Sequence, residues 1–273
     1  MDAPQILLTN DDGIDSVGFR ALYEGLSAVG DVVAVAPADD QSAVGRTVSE
    51  AVEFADHEYG YAIHGTPVDC VIAGLGSICP DVDLVVSGCN KGGNLGGYVL
   101  GRSGTVSAAV EAAFFGVPAI SVSMYIEGGD DWQSLATEAS DFATAREATT
   151  YLVEQATTEG VFAAADYLNV NVPFHDNTGV TGSIPMRVTR PSMRYEMGAE
   201  QNGGREIELR DGIWETMRGG SVDDPIGTDR RAVADGEISV SPLTAPHSTK
   251  QHDALDEIAA GYTSNAEATA DTE

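Results

Sequence analysis

Short apolar runs alternate with longer segments of helical periodicity through the first two-thirds of the chain. Each run ends at polar or turn residues, as expected of a buried strand. The predicted core strands lie at residues 6–8, 31–36, 83–87, 118–123 and 167–172. The predicted helices lie at residues 17–26, from 68 onward, 104–115 and 132–159. Strands that alternate with helices predict an α/β fold, with a mainly parallel sheet and helices on both faces.

Beyond Pro173 the apolar runs become shorter and are separated by turn residues, a pattern typical of antiparallel strands. The short strands predicted there lie at residues 186–189, 205–209, 213–216 and 237–243, and an earlier pair lies at 47–54 and 59–64. We expect a catalytic core over residues 1–179 and a β-rich C-terminal appendage over 180–245, an oligomerisation element. Residues 246–273 are expected to form a helix and a disordered acidic tail.

Polar side chains follow the predicted strands at the points where the strands end. Asp11 and Asp12 follow the first strand, Ser42 lies in the loop after the second, and Asn90 follows the strand at 83–87. Ser103-Gly104-Thr105 opens the helix at 104–115. Each segment alone is as typical of a solvated turn or a helix cap as of a site. Because the carboxyl ends of parallel strands share one edge of a sheet, however, we expect these side chains to converge.

Together these side chains supply hard oxygen ligands and a place for an anion. Two carboxylates and two neutral oxygens suit Mg²⁺, Mn²⁺ or Ca²⁺ and do not suit zinc. The N–H groups at the start of the helix near Ser103 and Thr105 would hold phosphate oxygens. The sequence therefore predicts a metal-dependent site for phosphoester hydrolysis.

The charge balance restricts the partners. The chain has 43 acidic and 14 basic residues, for a net charge of −29, and only two lysines, Lys91 and Lys250. Such a charge repels nucleic-acid polymers and anionic membranes. Acidic excess with little lysine is typical of proteins from salt-accumulating halophiles, in which molar salt screens the repulsion.

Location and redox state follow from other features. The N-terminus lacks the basic and apolar regions of a secretory signal, and no apolar run approaches the ~20 residues of a membrane span. We therefore expect a cytoplasmic protein. Cys70, Cys79 and Cys89 are odd in number and lack CxxC spacing, so they are expected to be reduced thiols.

Six motifs follow one another along the core. They are ILLTNDDG, APADDQSAVG, GTPVDCV, DLVVSGCNKGGNLG, RSGTVSAAVEAAFFGVPAISVS and LNVNVP, and they extend from Ile6 to Pro173. In this order they resemble the SurE family of metal-dependent phosphatases acting on nucleoside monophosphates. The resemblance implies a Rossmann-like core, one divalent cation and hydrolysis of 5′-monophosphates, with 3′-monophosphates as second candidate substrates. It also implies a homodimer or homotetramer assembled through the C-terminal arm.

The resemblance also assigns residues. Its metal ligands fall on Asp11, Asp12, Ser42 and Asn90, of which the two aspartates are the candidate catalytic residues. We expect phosphate contacts from Asn94, Ser103, Gly104 and Thr105. Whether Asp11 serves as nucleophile, base or ligand is left open by the sequence. Lys91 stands where the family often has alanine, and it would either add positive charge for phosphate or point to solvent.

Three other functions fit parts of the pattern. A receiver-like signalling domain also places acidic residues after its first strand to hold Mg²⁺, but it would need an aspartate where the strand at 83–87 ends in Ser-Gly-Cys-Asn. A dinucleotide-binding oxidoreductase would need GxGxxG after the first strand, where carboxylates stand instead. A nucleotide-binding protein without hydrolysis is the third alternative.

Overall fold

A computed structural model describes residues 3–127, 132–156, 160–174, 184–219 and 222–245, together with positions 247, 255 and 258. The helix and tail predicted for 246–273 lie, apart from those three positions, outside the described residues. Among the described residues, no helix combines the length and the apolar character that crossing a membrane would require.

One large sheet forms the centre of the molecule. Its strands are β1 Gln5–Thr9, β2 Asp31–Pro37, β3 Glu53–His57, β4 Gly60–His64, β5 Leu84–Lys91, β6 Ala119–Tyr125, β7 Tyr167–Pro173, β8 Met186–Val188 and β11 Ile238–Leu243. A separate hairpin consists of β9 Met197–Glu200 and β10 Glu208–Asp211. The helices are α1 Val17–Leu26, α2 Pro67–Ala73, α3 Gly97–Leu100, α4 Gly104–Phe114, α5 Ala143–Ala156, α6 Gly212–Arg218 and α7 Asp229–Ala234.

The order of strands in the large sheet is β3-β4-β2-β1-β5-β6-β7-β11-β8. The six strands from β4 to β7 in this order run parallel, whereas β3 and β11 pair antiparallel with β4 and β7. The predicted α/β fold with a mainly parallel sheet is therefore confirmed, as are the additional antiparallel strands. The sheet carries helices on both faces, and its strands are buried as the apolar runs indicate.

Alternation along the strands divides the core into two layers. Ile6 and Leu8 of β1 pack with Phe19 of α1 on one face, and Leu7 packs with Val106 of α4 on the other. The side chains of Ile6, Leu7, Leu8 and Phe19 are each at most 1% exposed, so β1 is covered from both sides. This burial fixes the register of β1, because a shift by one residue would exchange the two faces.

The chain changes direction across β1. From β1 it moves to β2 and β4 on one side, and it then returns to place β5 on the other side. Ligands of doubly wound sheets bind at the carboxyl edge next to such a reversal, because the connecting loops diverge there and leave a crevice. The crevice lies beside the loop that contains Asp11 and Asp12.

Two predicted elements are wrong. The helix predicted from Trp132 begins only at Ala143, because the backbone of Ala136 has a φ of 49° and breaks the helical path. The strand predicted at 213–216 is helix α6, which Asp211 caps and which buries Ile213 and Met217 one turn apart. The strand predicted at 205–209 begins later, at Glu208.

The strand predicted at 237–243 extends the central sheet. As β11, it pairs antiparallel with β7, and β8 pairs parallel with β11 at the sheet edge. The hairpin β9–β10 lies outside that sheet. The division into a core at 1–179 and an oligomerisation arm at 180–245 stays a prediction.

Candidate active site

Asp11 lies just beyond the end of β1, with 3% of its surface exposed, and the start of α4 holds its carboxylate. The Thr105 hydroxyl donates to Asp11 Oδ1 at 2.6 Å, and the Thr105 N–H donates to Asp11 Oδ2 at 3.1 Å. Both oxygens therefore accept hydrogen bonds near the positive end of the helix dipole. The sequence predicted that Thr105 would contact phosphate, whereas both of its donors here bind a carboxylate of the chain.

The two residues before Thr105 make this approach possible. Ser103 caps α4 by accepting a hydrogen bond from Val106 N at 3.1 Å. Gly104 packs directly on Asp11, since a Cβ at residue 104 would lie 2.8 Å from the Cβ of Asp11. The glycine is thus needed for contact between helix and carboxylate, and any side chain there would separate them.

Asp12 connects β1 to β5. Its Oδ2 accepts a hydrogen bond of 2.9 Å from the backbone N–H of Lys91, the residue after Asn90. The side-chain amide of Asn90 donates from Nδ2 to the carbonyl of Gly92 at 2.6 Å. The Oδ1 atom of Asn90 takes no part in that bond. The carboxylate of Asp12 and the loop that contains Asn90 are therefore held together, as the sequence predicted.

The loop after β2 reaches the same place. The N–H of Gln41 donates to the backbone carbonyl of Asp11 at 2.7 Å. Ser42, which is exposed, donates from both N and Oγ to Asp40 Oδ1, at 2.8 and 2.6 Å. Asp40 is a third acidic side chain of the site, and sequence reasoning gave it no role, since a carboxylate in a turn is an ordinary solvated residue.

These carboxylates disfavour one another's charged form. Burial raises the pKa of Asp11, although the hydrogen bonds from Thr105 act against it. Burial and, next, the charge of Asp11 raise the pKa of Asp12 to about 7. The charge of Asp40 raises both pKa values further. The site therefore has an excess of negative charge that a cation would relieve.

The oxygen atoms that could serve as metal ligands at this site fit a hard divalent cation. The described residues contain no group of three or more His, Cys, Asp or Glu side chains arranged for a metal ion. Two carboxylates with neutral oxygens from Asn90 and Ser42 match instead the ligands that Mg²⁺ and Mn²⁺ accept, with water completing the shell. The fit rests on oxygen chemistry and on the repulsion between Asp11, which is buried, and Asp12, which is half-buried.

Asn94 is held by the neighbouring strands. Its Nδ2 donates to Ser123 Oγ of β6 at 2.9 Å, and its N–H donates to Asn171 Oδ1 of β7 at 2.8 Å. Asn169 and Asn171 donate to the Asn94 carbonyl at 2.9 and 3.1 Å. These two asparagines fix the glycine-rich loop, and sequence reasoning missed their role. The signal was present in LNVNVP, where two asparagines two residues apart share one face of a buried strand.

Lys91, which the sequence left either as a phosphate contact or as a solvent-exposed side chain, makes two hydrogen bonds within the chain. Its Nζ donates to the backbone carbonyl of Gln133 at 2.6 Å, while its N–H binds Asp12. Lys91 therefore joins the acidic site to the segment that follows β6.

The chain is similar in sequence to proteins of one known family. A family model described as Survival protein SurE matches residues 6–197. The 5′-nucleotidase SurE of Haloquadratum walsbyi is 58% identical over 259 residues, covering 94% of this chain and 96% of the relative. The 5′-nucleotidase SurE of Haloarcula marismortui is 59% identical over 264 residues, covering 96% of each chain.

A solved structure gives the same result. The crystal structure of the SurE protein from Aquifex aeolicus superposes with a TM-score of 0.73 at 31% sequence identity, covering 93% of this chain and 98% of that chain. Both the resemblance inferred from the motifs and the fold inferred from the apolar runs are confirmed. The chain belongs to the SurE family.

Proposed function

We propose that this chain is a phosphoric monoester hydrolase that releases phosphate from nucleoside 5′-monophosphates with one divalent cation. The observation that carries the proposal is the adjacent pair of buried Asp11 and half-buried Asp12 at the reversal of the sheet, with the start of α4 on Asp11. Relatives named 5′-nucleotidase SurE at 58–59% identity over nearly the whole chain support the substrate class.

The cation would be held by Asp11, Asp12, Ser42 and Asn90, with Mg²⁺ or Mn²⁺ as the first candidates and Ca²⁺ as a third. When bound, the cation would polarise a phosphoryl oxygen as a Lewis acid. Asp11 is oriented by both donors of Thr105, so its carboxylate needs little reorganisation when substrate binds. Asp12 has one oxygen engaged by Lys91 N, which leaves the other for the cation or a proton.

The first turn of α4 offers a donor for the phosphate. Two N–H groups of this turn are already engaged, since Thr105 N donates to Asp11 and Val106 N donates to Ser103. The N–H of Gly104 has no acceptor among the described residues. Such first-turn N–H groups bind phosphate oxygens. Phosphate contacts from Asn94 and Ser103 belong to the same proposal, whereas Thr105, predicted as a third phosphate contact, would act through Asp11.

The decisive experiment replaces Asp12. Phosphate release is measured from a panel of nucleoside 5′- and 3′-monophosphates in molar KCl, with EDTA and with added Mg²⁺ or Mn²⁺. We expect Asp12→Asn to lower kcat by on the order of a hundredfold or more, because a neutral amide binds the cation weakly. The matched control is Asp15→Asn in the same loop, whose side chain is 83% exposed.

Two results would reject the proposal. One is cation-independent or absent phosphate release from every monophosphate in the panel by the wild-type chain. The other is full activity of Asp12→Asn with an unchanged circular dichroism spectrum. The panel also decides whether 3′-monophosphates are substrates.

Assembly and location are part of the proposal. A homodimer or homotetramer formed through residues 180–245 is supported by large apolar side chains exposed there. Met193 is 85% exposed, Ile226 80%, Val188 74% and Leu209 71%. A cytoplasmic location stays a prediction.

The receiver-like alternative has less support. In such a domain a lysine at the same sheet edge would face the phosphorylated aspartate, whereas Lys91 Nζ donates to the carbonyl of Gln133. Hydrolysis is also favoured over nucleotide binding alone, since the relatives carry the name of an enzyme.

A further inference from the structure

A cavity of about 360 Å³ opens beside the glycine-rich loop. This size is within the range of small-ligand sites. Its lining includes three aromatic side chains, one cationic side chain and two glycines: Tyr125, Trp132, Trp214, Arg218, Gly92 and Gly93. Neither the acidic pair nor the phosphate contacts use these aromatic side chains or Arg218.

Helix α6 builds one wall of the cavity. Trp214 and Arg218 are one turn apart and therefore share a face, while Ile213 and Met217 are buried on another face. The ring of Trp214 lies nearly parallel to that of Tyr125 on β6, with centroids 6.4 Å apart and an interplanar angle of 19°. The wall thus presents flat aromatic surfaces of similar orientation.

The cavity shares a loop with the acidic site. Lys91 binds Asp12 through its N–H and the carbonyl of Gln133, next to Trp132, through Nζ. Gly92 N donates to the carbonyl of Met124, next to Tyr125, at 3.0 Å. One short segment after β5 therefore borders the proposed phosphate site on one side and the aromatic cavity on the other.

Glycine at position 93 keeps the cavity open on this side. A Cβ there would lie 3.2 Å from Tyr125 Cδ2, so the loop lies directly against the aromatic ring. A larger residue would have to shift or would fill the space next to the ring. At Gly92 and Gly93 the loop therefore has no side chain between the acidic site and the aromatic cavity.

We propose that this cavity binds the nucleobase of the substrate, an inference that rests on the proposed function. Every nucleobase has a flat π-face that stacks on aromatic side chains. Arg218 supplies several N–H donors for the ring nitrogens and carbonyl oxygens of a base. The cavity then accounts for an arginine and three aromatic rings beside a phosphate site, where a simple phosphate ester would need neither.

Tryptophan fluorescence tests the cavity without requiring activity. The chain contains two tryptophans, and both line the cavity, so the whole tryptophan emission reports on it. We expect adenosine or guanosine, which lack phosphate, to quench this emission saturably in molar KCl. Ribose 5-phosphate, which lacks a base, is expected to cause no quenching.

Substitutions locate the binding surface. Trp214→Ala should weaken nucleoside binding about tenfold, the magnitude of one lost stacking contact, while Trp214→Phe should stay within about threefold because it keeps an aromatic face. Arg218→Ala should also weaken it, and this exposed side chain can be removed without loss of packing. The control is Phe54→Ala, an aromatic residue 61% exposed on β3 at the far edge of the sheet.

Kinetics separate this inference from the proposed function. Trp214→Ala should raise KM about tenfold for nucleoside 5′-monophosphates and leave KM for ribose 5-phosphate unchanged. If no phosphate ester is hydrolysed at all, the proposed function fails, and fluorescence alone still decides whether the cavity binds a base. The nucleobase site is overturned if no nucleoside quenches the emission, or if both Trp214→Ala and Arg218→Ala bind nucleosides like the wild type.

Discussion

Among the individual residues, Thr105 differs most from its predicted role. The segment Ser103-Gly104-Thr105 predicts a helix start that binds an anion, and it does so in the structure. The anion is Asp11, which receives both donors of Thr105. The sequence could not identify the anion, because a carboxylate of the chain and a substrate phosphate need the same donors. We therefore propose that Thr105 is a positioning residue that acts through Asp11.

Removal of the Thr105 hydroxyl tests this role. Thr105→Val keeps the shape and the N–H donor but removes the bond of 2.6 Å to Asp11 Oδ1. We expect kcat to fall about tenfold to a hundredfold with little change in KM, because a less well-oriented carboxylate stabilises the transition state less. Steady-state phosphate release in molar KCl, at saturating cation, measures the change.

Two further variants show that the effect is specific. Thr105→Ser retains a hydroxyl and should recover most of the activity. Thr149→Val removes a buried hydroxyl of α5 that donates to the carbonyl of Ala145, and it should leave kcat unchanged. Equal loss in the two valine variants, or no rescue by serine, would mean that Thr105 contributes only packing.

Strand-end residues were the most predictable part of the site. Asp11, Asp12 and Asn90 follow apolar runs, and the rule for parallel strands brings them to one edge. Trp214 and Asp40 were not predictable in the same way. Trp214 reaches the glycine-rich loop only through the packing of α6, and Asp40 matters only because its loop folds back over Gly13, within 3.6 Å of a Cβ built there. Both depend on contacts between segments distant in sequence, which periodicity does not encode.

At the level of elements, strong periodicity predicted α1 at its observed bounds, Val17–Leu26. Where the sequence pattern was ambiguous, caps decided the structure. Ile213-Trp-Glu-Thr216 has the β-branched and aromatic residues of a strand, but Asp211 accepts from Ile213 N at 3.3 Å and starts a helix there. A four-residue segment is too short for periodicity to distinguish a strand from one helical turn.

The N-terminus of α2 is fixed by a buried carboxylate. Asp69 accepts hydrogen bonds of 2.8 Å each from Ser49 N, Ser49 Oγ and Thr66 N, and Thr66 Oγ1 accepts from Asp69 N. This capping box also ties the segment before β3 to α2. Burial acts to raise the pKa of Asp69, but the bonds from Ser49 and Thr66 outweigh it and lower the pKa below 3.8.

Asp69→Asn should therefore destabilise the protein in a pH-dependent way. At neutral pH we expect the free energy of unfolding to fall by about 1–2 kcal/mol, because an amide places a donor where two donors already converge. Since the folded pKa lies below the unfolded one, the contribution of the carboxylate is complete above the unfolded value and is lost as the pH falls through the folded value. The difference between wild type and variant should accordingly shrink below about pH 4.

Denaturant unfolding in molar KCl at several pH values measures this difference. The control is Asp141→Asn, which alters a second capping box, in which Asp141 accepts from Glu138 N at 2.9 Å at an exposed position. It should cost less than about 0.5 kcal/mol. A constant destabilisation by Asp69→Asn across all pH values would show that its charge has no part in stability.

For the whole molecule, the order of strands is what the sequence could not supply. Apolar runs predict that strands exist and that they are parallel, but not that β5 pairs with the opposite side of β1 from β2. That placement puts the crevice at β1, and it makes the loops after β1, β2 and β5 neighbours. The convergence of the site follows from it, since Asp12 reaches Lys91 only because β1 and β5 are adjacent.

Charge also acts on the whole molecule. The 43 acidic residues exceed the 14 basic ones by 29, so even complete pairing of every Lys and Arg would leave that many negative charges uncompensated. Several observed ion pairs are exposed, such as Arg210 with Glu208 at 2.9 Å and Arg231 with Asp235 at 2.8 Å. Exposed pairs contribute little to stability and are weakened by salt. Salt should stabilise the fold by screening the repulsion among acidic side chains and destabilise it by weakening the ion pairs. The uncompensated acidic charges outnumber the paired ones, so the stabilising effect should be larger.

We therefore expect salt to stabilise the fold. Raising KCl from 0.15 M to 2 M shortens the screening length from ~8 Å to below ~3 Å and should raise Tm by about 10 °C or more. Differential scanning calorimetry measures this change, and KCl is compared with sucrose, which stabilises by exclusion from the surface without screening charge. A rise in Tm that KCl and sucrose share equally, or a Tm that falls with KCl, would contradict the repulsion argument. A rise specific to salt would show that screening of the 29 excess charges outweighs the weakening of the arginine pairs.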